Sequence, residues 1–426
     1  MIFINAKKMV IIIMSNQMNL TRLGNICTKI GSGLTPKGGK NAYKESGISF
    51  IRSLNIYDFH FDYTDLAYID DNQARKLSNV IVERHDILLN ITGASVARCC
   101  MVPDNVLPAR VNQHVSIVRI DKSKANPYYV LYSLNSPINK QRLLTLAQGG
   151  ATREALTKET ISNFEINLPS LTVQNKIAAI LSAYDDLIEN NTRRIKILEE
   201  MAQLIYREWF VKFRFPGHEK VRMVESELGP IPEGWKVKTL GEVCNIVMGQ
   251  SPESKYYNTK GEGLPFHQGV SNFNNRYPTH EVYCTIDKRI AHAGDILFSV
   301  RAPVGRINIA DRKLIVGRGL AAIRHIAGLQ SFLYYQMKAI FKEEDIIGNG
   351  AIFNSITKQD LLNVKVIVPS DCVDNDFNNK VEHIDQLILN LTRKNLILRR
   401  TRDLLLPKLI SGELDVEDLD IAIGGD

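Results

Sequence analysis

Ile177, Leu181, Tyr184, Ile188, Asn191, Ile195, Leu198, Ala202 and Ile205 follow one another in alternating steps of four and three. That spacing is the seam of a coiled-coil helix. Asp185, Asp186, Glu189, Arg193, Arg194, Lys196, Glu199 and Glu200 fall around it as a solvated outer face. At an offset of 200 the seam returns as Phe377, Val381, Ile384, Ile388, Leu391, Asn395, Leu398, Arg402 and Leu405. The match continues upstream. Gly149-Gly-Ala-Thr-Arg-Glu-Ala-Leu-Thr-Lys faces Asn349-Gly-Ala-Ile-Phe-Asn-Ser-Ile-Thr-Lys, and Leu168-Pro-Ser faces Val368-Pro-Ser. The chain is two copies of one unit, each ending in a long helix.

Working outward, residues 1–18 read as an extension. Lys7-Lys8 precedes an apolar run, Met9 to Met14, too short to span a bilayer and followed by no small-x-small cleavage site. Met14 and Met18 are alternative starts, and a cytoplasmic protein is expected. Residues 19–168 form the first globular unit. Ile48-Ser-Phe-Ile-Arg, Asp86-Ile-Leu-Leu-Asn-Ile and Val115-Ser-Ile-Val-Arg-Ile read as strands, with a short helix near Tyr128 to Leu134. Residues 169–215 carry the first long helix, capped by Ser170 or Thr172 and stopped by Pro216-Gly217. Its aromatic end, Trp209-Phe-Val-Lys-Phe-Arg-Phe, suits either a local core or a partner surface. A polar linker (216–234), a second globular unit (235–368), a second long helix (369–414) and an acidic, loose tail (415–426) complete the division. The fold class is α+β: two pseudo-repeated, mainly β domains separated by two long antiparallel helices. The antiparallel register is expected to oppose the polar seam residues Asn191 and Asn395. It places Ile195 by Leu391, Ile188 by Leu398 and Tyr184 near Arg402, because a buried amide needs a partner.

The 426 residues carry a formal charge of +7, a mild excess that suits a polyanion without requiring one. The six cysteines include no Cys-x-x-Cys pair, and Cys27 and Cys244 hold matching places in the repeats; small buried thiols are the simplest reading. Asn126-Pro-Tyr-Tyr lacks the second proline of an adenine-methyltransferase motif and reads as a turn entering a helix. Gly33 to Asn41 fails the P-loop spacing, Glu253-Ser-Lys lacks the upstream Pro-Asp of a nuclease centre, and the histidines show no metal-ligand spacing. No catalytic site is expected in this chain, and no metal.

Matching loops of the two repeats are instead rich in the side chains that read base edges. The first offers Lys37, Lys40, Arg52, Thr92, Ser95, Arg98, Asn112, Gln113, Thr152 and Arg153; the second offers Gln250, Lys255, His267, Gln268, Arg301, Arg306, Arg318 and Asn354. Each taken singly reads as an ordinary solvated loop residue; the set, on equivalent loops, reads as two DNA-binding faces. The frame is kept while the loops change: Ile51-Arg-Ser-Leu-Asn becomes His267-Gln-Gly-Val-Ser, and Asn112-Gln-His becomes Gly317-Arg-Gly.

Over residues 19 to about 414 the sequence resembles the specificity (S) subunits of type I restriction–modification systems. The resemblance rests on Gly150-Ala-Thr with Leu168-Pro-Ser-Leu-Thr-Val-Gln, Leu198-Glu-Glu-Met-Ala-Gln-Leu-Ile-Tyr-Arg-Glu-Trp-Phe, Phe213-Arg-Phe-Pro-Gly, Ile231-Pro-Glu-Gly-Trp and Leu404-Leu-Leu-Pro-Lys-Leu-Ile-Ser-Gly-Glu-Leu. It implies a non-catalytic subunit with two target-recognition domains on paired helices. The helices would dock two methyltransferase (M) subunits, which nuclease-translocase (R) subunits join. S-adenosylmethionine, ATP and Mg would be bound by those partners and not by this chain. The target would be a bipartite double-stranded DNA site, methylated on adenine N6, with the helices as a ruler for its spacer. A stand-alone DNA-modifying enzyme and a non-DNA coiled-coil scaffold are the alternatives; methyl transfer that requires both this chain and an M partner separates them.

Overall fold

The computed structural model describes residues 19–36, 38–148, 155–341, 346–347, 351–352 and 355–421, without the side chains of Lys40, 346–347, 351–352 and Asp371. The two long helices run Leu171–Tyr206 and Asp371–Ser411. No seam residue between Ile177 and Ile205, or between Phe377 and Leu405, is exposed. Gln174 N–H closes the first turn on Ser170 O at 2.9 Å, so the first helix starts one residue after its serine. A turn of π-helix, Arg207–Val211, follows it. The second helix keeps its first turn despite the polar start, and carries Pro407 near its end.

The compact units do not follow the linear division. One comprises the chain up to Asn190 together with Asn395 onward; the other is Asn191 to Lys394. Both boundaries fall inside the long helices. The reason is visible in the cores. The first domain packs on Ile177, Ala178 and Leu181 from the start of one helix and on Leu406, Leu409 and Ile410 from the end of the other. The second domain packs on Ala202, Tyr206 and Phe210 and on Phe377 and Val381.

Each unit repeats one topology. In the first, strands Cys27–Ser32, Val115–Ile120, Ile87–Asn90 and Cys99–Met101 form an antiparallel sheet in that order; in the second, Cys244–Met248, Leu320–His325, Ile296–Ser299 and Ile307–Ile309 do so. A second sheet in each contains a parallel pair, Ile48–Ile51 with Ala109–Val111 and Leu264–His267 with Leu314–Val316. A buried carboxylate staples the main sheet in both. Asp86 accepts from Arg119 Nε at 2.8 Å, and Asp295 from Arg324 Nε at 2.5 Å. The expected short helix is Pro127–Asn135, capped by Asn126, whose side chain accepts from Tyr128 N–H at 2.8 Å. A further helix, Pro137–Gln148, was not expected.

Of the two readings open to the aromatics after the first helix, the local core holds: Phe210 and Phe215 are buried against Trp235, with ring centroids 5.8 and 5.1 Å away. Two segments differ from the sequence reading. The linker is an ordered hairpin, Met223–Val224 with Ile231–Pro232, held by buried Ile231. The described part of the acidic tail is anchored, because Val416 joins the first core and Lys176 Nζ donates to Glu417 O at 2.6 Å. Among the described residues no helix is long and apolar enough to cross a membrane. All six cysteines are free; burial pushes the Cys27 and Cys244 thiols up to about 12.

Candidate nucleic-acid interface

The parallel strand pair decides where polar side chains collect. Ile48–Ile51 and Ala109–Val111 run the same way with Ile51 opposite Val111, so both chains leave the sheet at one edge. Asn112 N–H donates to Ile51 O at 3.1 Å, setting Arg52 beside the Asn112-Gln-His turn. Ile91 N–H donates to His114 O at 2.9 Å, which brings Thr92 to the same edge. Gly33 N–H donates to Asn112 O at 3.1 Å and brings in Thr35. Only glycine permits that approach, since a Cβ on Gly33 would lie 1.7 Å from Val111 O. Underneath, fully buried Asn90 donates from Nδ2 to Ser53 O at 2.9 Å and to Ser95 Oγ at 3.1 Å. Asn90 N–H also bonds Arg98 O at 2.8 Å, and the Arg98 guanidinium lies 4.9 Å from the Tyr57 ring centroid. Six sequence candidates therefore share one edge: Arg52, Thr92, Ser95, Arg98, Asn112 and Gln113.

The second unit rebuilds this edge. Gly317 N–H donates to His267 O at 2.8 Å, making Gln268 the mate of Arg52 and Arg318 the mate of Gln113. Ser299 N–H bonds Arg306 O at 2.9 Å, as Asn90 bonds Arg98 O. Arg301 bridges Ser355 as Thr92 bridges Ala155. Gln250 N–H donates to Val316 O at 3.0 Å, and Ser251 Oγ donates to Gln268 Oε1 at 2.6 Å while accepting from Arg318 N–H at 3.2 Å. A Cβ on Gly249 would lie 2.0 Å from Gly317 O, the counterpart of Gly33. Lys255, further along that loop, pairs with Glu253 at 2.7 Å. Arg301, Arg306 and Arg318 are exposed.

Three candidates are tied into the frame by contacts within their own domain. His267 is 2% exposed and bonds His280 Nδ1 through Nε2 at 3.0 Å. His280 Nε2 in turn contacts Asp311 Oδ1 at 2.8 Å. Burial, reinforced by the His280 charge, pushes the His267 pKa down to about 4, so the ring is neutral near pH 7. Asn112 is buried, and its Oδ1 accepts from His114 N–H at 3.0 Å, shaping the turn. Arg52 is held over Tyr43, 5.2 Å from its centroid, and donates to Asp65 O. Lys37, Thr152, Arg153 and Asn354, and the side chain of Lys40, lie outside the described residues. Sequence reasoning passed over Thr35, Tyr57, His114 and Ser251. The signal for His114 was available: it ends a polar triplet between two apolar runs.

The helix-pairing residues were expected on one face. In the first unit Asn395 Nδ2 donates to Ile188 O at 3.4 Å, and Arg402 pairs with Asp185, next to Tyr184. Among the described residues no group of three His, Cys, Asp or Glu is placed to hold a metal.

A repeated frame with polar edges on matched loops is the architecture of a modular recognition subunit, and the comparisons identify which. The model of the family "Type I restriction modification DNA specificity domain" matches residues 16–200 and 232–397, and the chain belongs to that family. It is 30% identical over 419 residues to the MjaX type I restriction enzyme specificity subunit of Methanocaldococcus jannaschii, covering 97% of each chain. It is 25% identical over 411 residues to the MjaIX specificity subunit of the same organism, covering 92% of each. The S subunit of a type I restriction–modification system from M. genitalium shares its fold, with a TM-score of 0.61 at 16% identity over 93% of this chain and 97% of that one.

Proposed function

We propose that each domain reads one half of a bipartite DNA site through its polar edge, and that the long helices fix the distance between the halves. The observation that carries this reading is the equivalence of the two edges. The same strand ends, the same glycine approach and the same buried carboxylate–arginine staple present Thr92, Arg98 and Gln113 in one repeat and Arg301, Arg306 and Arg318 in the other. The chain is non-catalytic in this reading. Methyltransferase subunits docked on the helices supply S-adenosylmethionine chemistry at adenine N6, nuclease-translocase subunits supply ATP and Mg chemistry, and the complex works in the cytoplasm.

The test is a domain swap. Residues 19–168 are replaced by the same domain of another family member, and the variant is assembled with its M partner. The methylated-adenine map should change in one half-site only; a change in both, or methylation by this chain alone, would sink the reading. The ruler is tested by inserting four residues in each helix, which adds about 6 Å at ~1.5 Å per residue and turns the helix by about 400°. An insertion after Met201 would disturb the second core, to which fully buried Ala202 belongs. Inserting after Asn190 and after Lys394 spares both cores. At about 3.4 Å per base pair the spacer should grow by about one or two base pairs.

A further inference from the structure

We propose that Gln113 reads an adenine in the major groove, making it a specificity-determining residue of the first domain. This rests on the DNA-reading function proposed above. Gln113 is exposed at the tip of the turn between strands Ala109–Val111 and Val115–Ile120, with buried Asn112 fixing the backbone beneath it. Its amide is gripped from both flanks. Oε1 accepts the Thr35 hydroxyl, and Nε2 meets His114 Nε2 at 3.1 Å. His114 is itself held, with Thr92 Oγ1 2.6 Å from Nδ1.

The protons along this chain can be followed. With Gln113 Nε2 donating, His114 Nε2 is unprotonated and its Nδ1–H donates to Thr92. Turning the amide over reverses every donor and acceptor, and the chain is again satisfied. In either case, among the described residues, the amide keeps one N–H and one oxygen lone pair, side by side and unspent. That pair complements adenine, which offers N7 as acceptor and N6–H as donor in the major groove. Guanine shows two acceptors there and would oppose the amide oxygen. Cytosine offers only its N4 donor, and thymine only an acceptor beside a methyl group. Because the flexible glutamine is already held, less rotamer freedom is lost on binding. The second repeat lacks the device: Arg318 and Gly319 stand where Gln113 and His114 do, and both chain neighbours of the arginine are glycines.

The experiment assembles wild type and variants with the M partner. It measures the methylated-adenine map and competition binding on a library randomised at each half-site position. Gln113→Ala should make one A·T position of the first half-site degenerate, with discrimination there falling roughly 10- to 100-fold. The second half-site should stay intact and reports that the variant is folded. Gln113→Glu, which keeps the shape and removes the donor, should move that position toward cytosine. His114→Ala should keep adenine at the position with weaker discrimination. Relaxation at a G·C position, uniform weakening across all sequences, or an unchanged first half-site with retained binding would each overturn the assignment. A wild-type complex that selects no bipartite site would instead remove the functional reading on which the assignment rests.

Discussion

Asp185 and Asp385 hold the same place on their helices, and each receives a hydroxyl from the helix of its own domain: Tyr132 at 2.6 Å in the first unit, Tyr335 at 2.9 Å in the second. The arginine that neutralises them comes from different places. In the first unit it is Arg402 of the second long helix, stacked 4.1 Å from the Phe59 ring centroid. In the second unit the mate of Arg402 is Ala202, fully buried, and Arg276 arrives from the domain itself, 2.5 Å from Asp385 and 4.4 Å from the Tyr334 ring centroid. The repeat preserves a demand, that a carboxylate held between domain and helix be neutralised, and leaves its source open. Burial raises the Asp185 pKa while Arg402 opposes the rise, which is why a carboxylate there needs a cation nearby.

The comparison breaks most sharply at Arg276, whose side chain is 3% exposed against 10% for Arg402. Arg276→Ala leaves Asp385 without its cation and should cost the second unit about 3–5 kcal/mol. Both tryptophans, Trp209 and Trp235, pack in the second core, so urea unfolding followed by tryptophan fluorescence reads that unit alone. The transition should move for Arg276→Ala and stay for Arg402→Ala; equal shifts would show that the two joints are not independent.

A second asymmetry is His267, whose mate in the first repeat is Ile51. Its depressed pKa means that the unfolded chain binds a proton more readily than the folded one. Its contribution is complete above pH 6.5 and is lost as pH falls toward about 4, by about 3 kcal/mol in all. His280, Asp311 and Arg312 face the same chain of contacts and modulate the loss. His267→Ile should flatten the acid dependence of the tryptophan transition relative to wild type; an unchanged slope would assign the sensitivity elsewhere.

The glycine approaches are the feature the repeats share, and they should behave alike. Gly33→Ala and Gly249→Ala each force the strand edge apart and should cost about 1–3 kcal/mol, read as faster hydrogen exchange in the unit that carries the change. Protection lost in the other unit would contradict separate edges. The smallest effect is expected at Lys255, an exposed cation beside Glu253. Lys255→Ala should change stability by less than about 1 kcal/mol. If Lys255 contacts phosphate, it should also lower the slope of log affinity against log salt by about 1.

The frame was legible because helices announce themselves locally. Seam residues at steps of four and three, the Asn126 cap before Pro127 and the apolar strand runs all depend on near neighbours in sequence. What escaped depends on distant pairing. His267 looked like a polar loop residue until the parallel register set it beside Val316 and put its ring against His280. Arg52 looked available until Tyr43 and Asp65 were folded around it. Val416 sits in an acidic stretch, and only the first core shows why it is apolar. The grip on Gln113 joins Thr35, Thr92 and His114 from three segments, which no single window of sequence contains.

The sharing of each core between the start of one helix and the end of the other also sets a timetable. The second unit is contiguous, so its core can close as soon as its own residues have been made. The first cannot: Ile166 must wait for Leu406, Leu409 and Val416. At about 5–20 residues per second of synthesis, that wait is roughly 10 to 50 s. The domain translated first is therefore the one completed last. While it waits, the apolar surface destined for those late residues is open to chaperones and proteases.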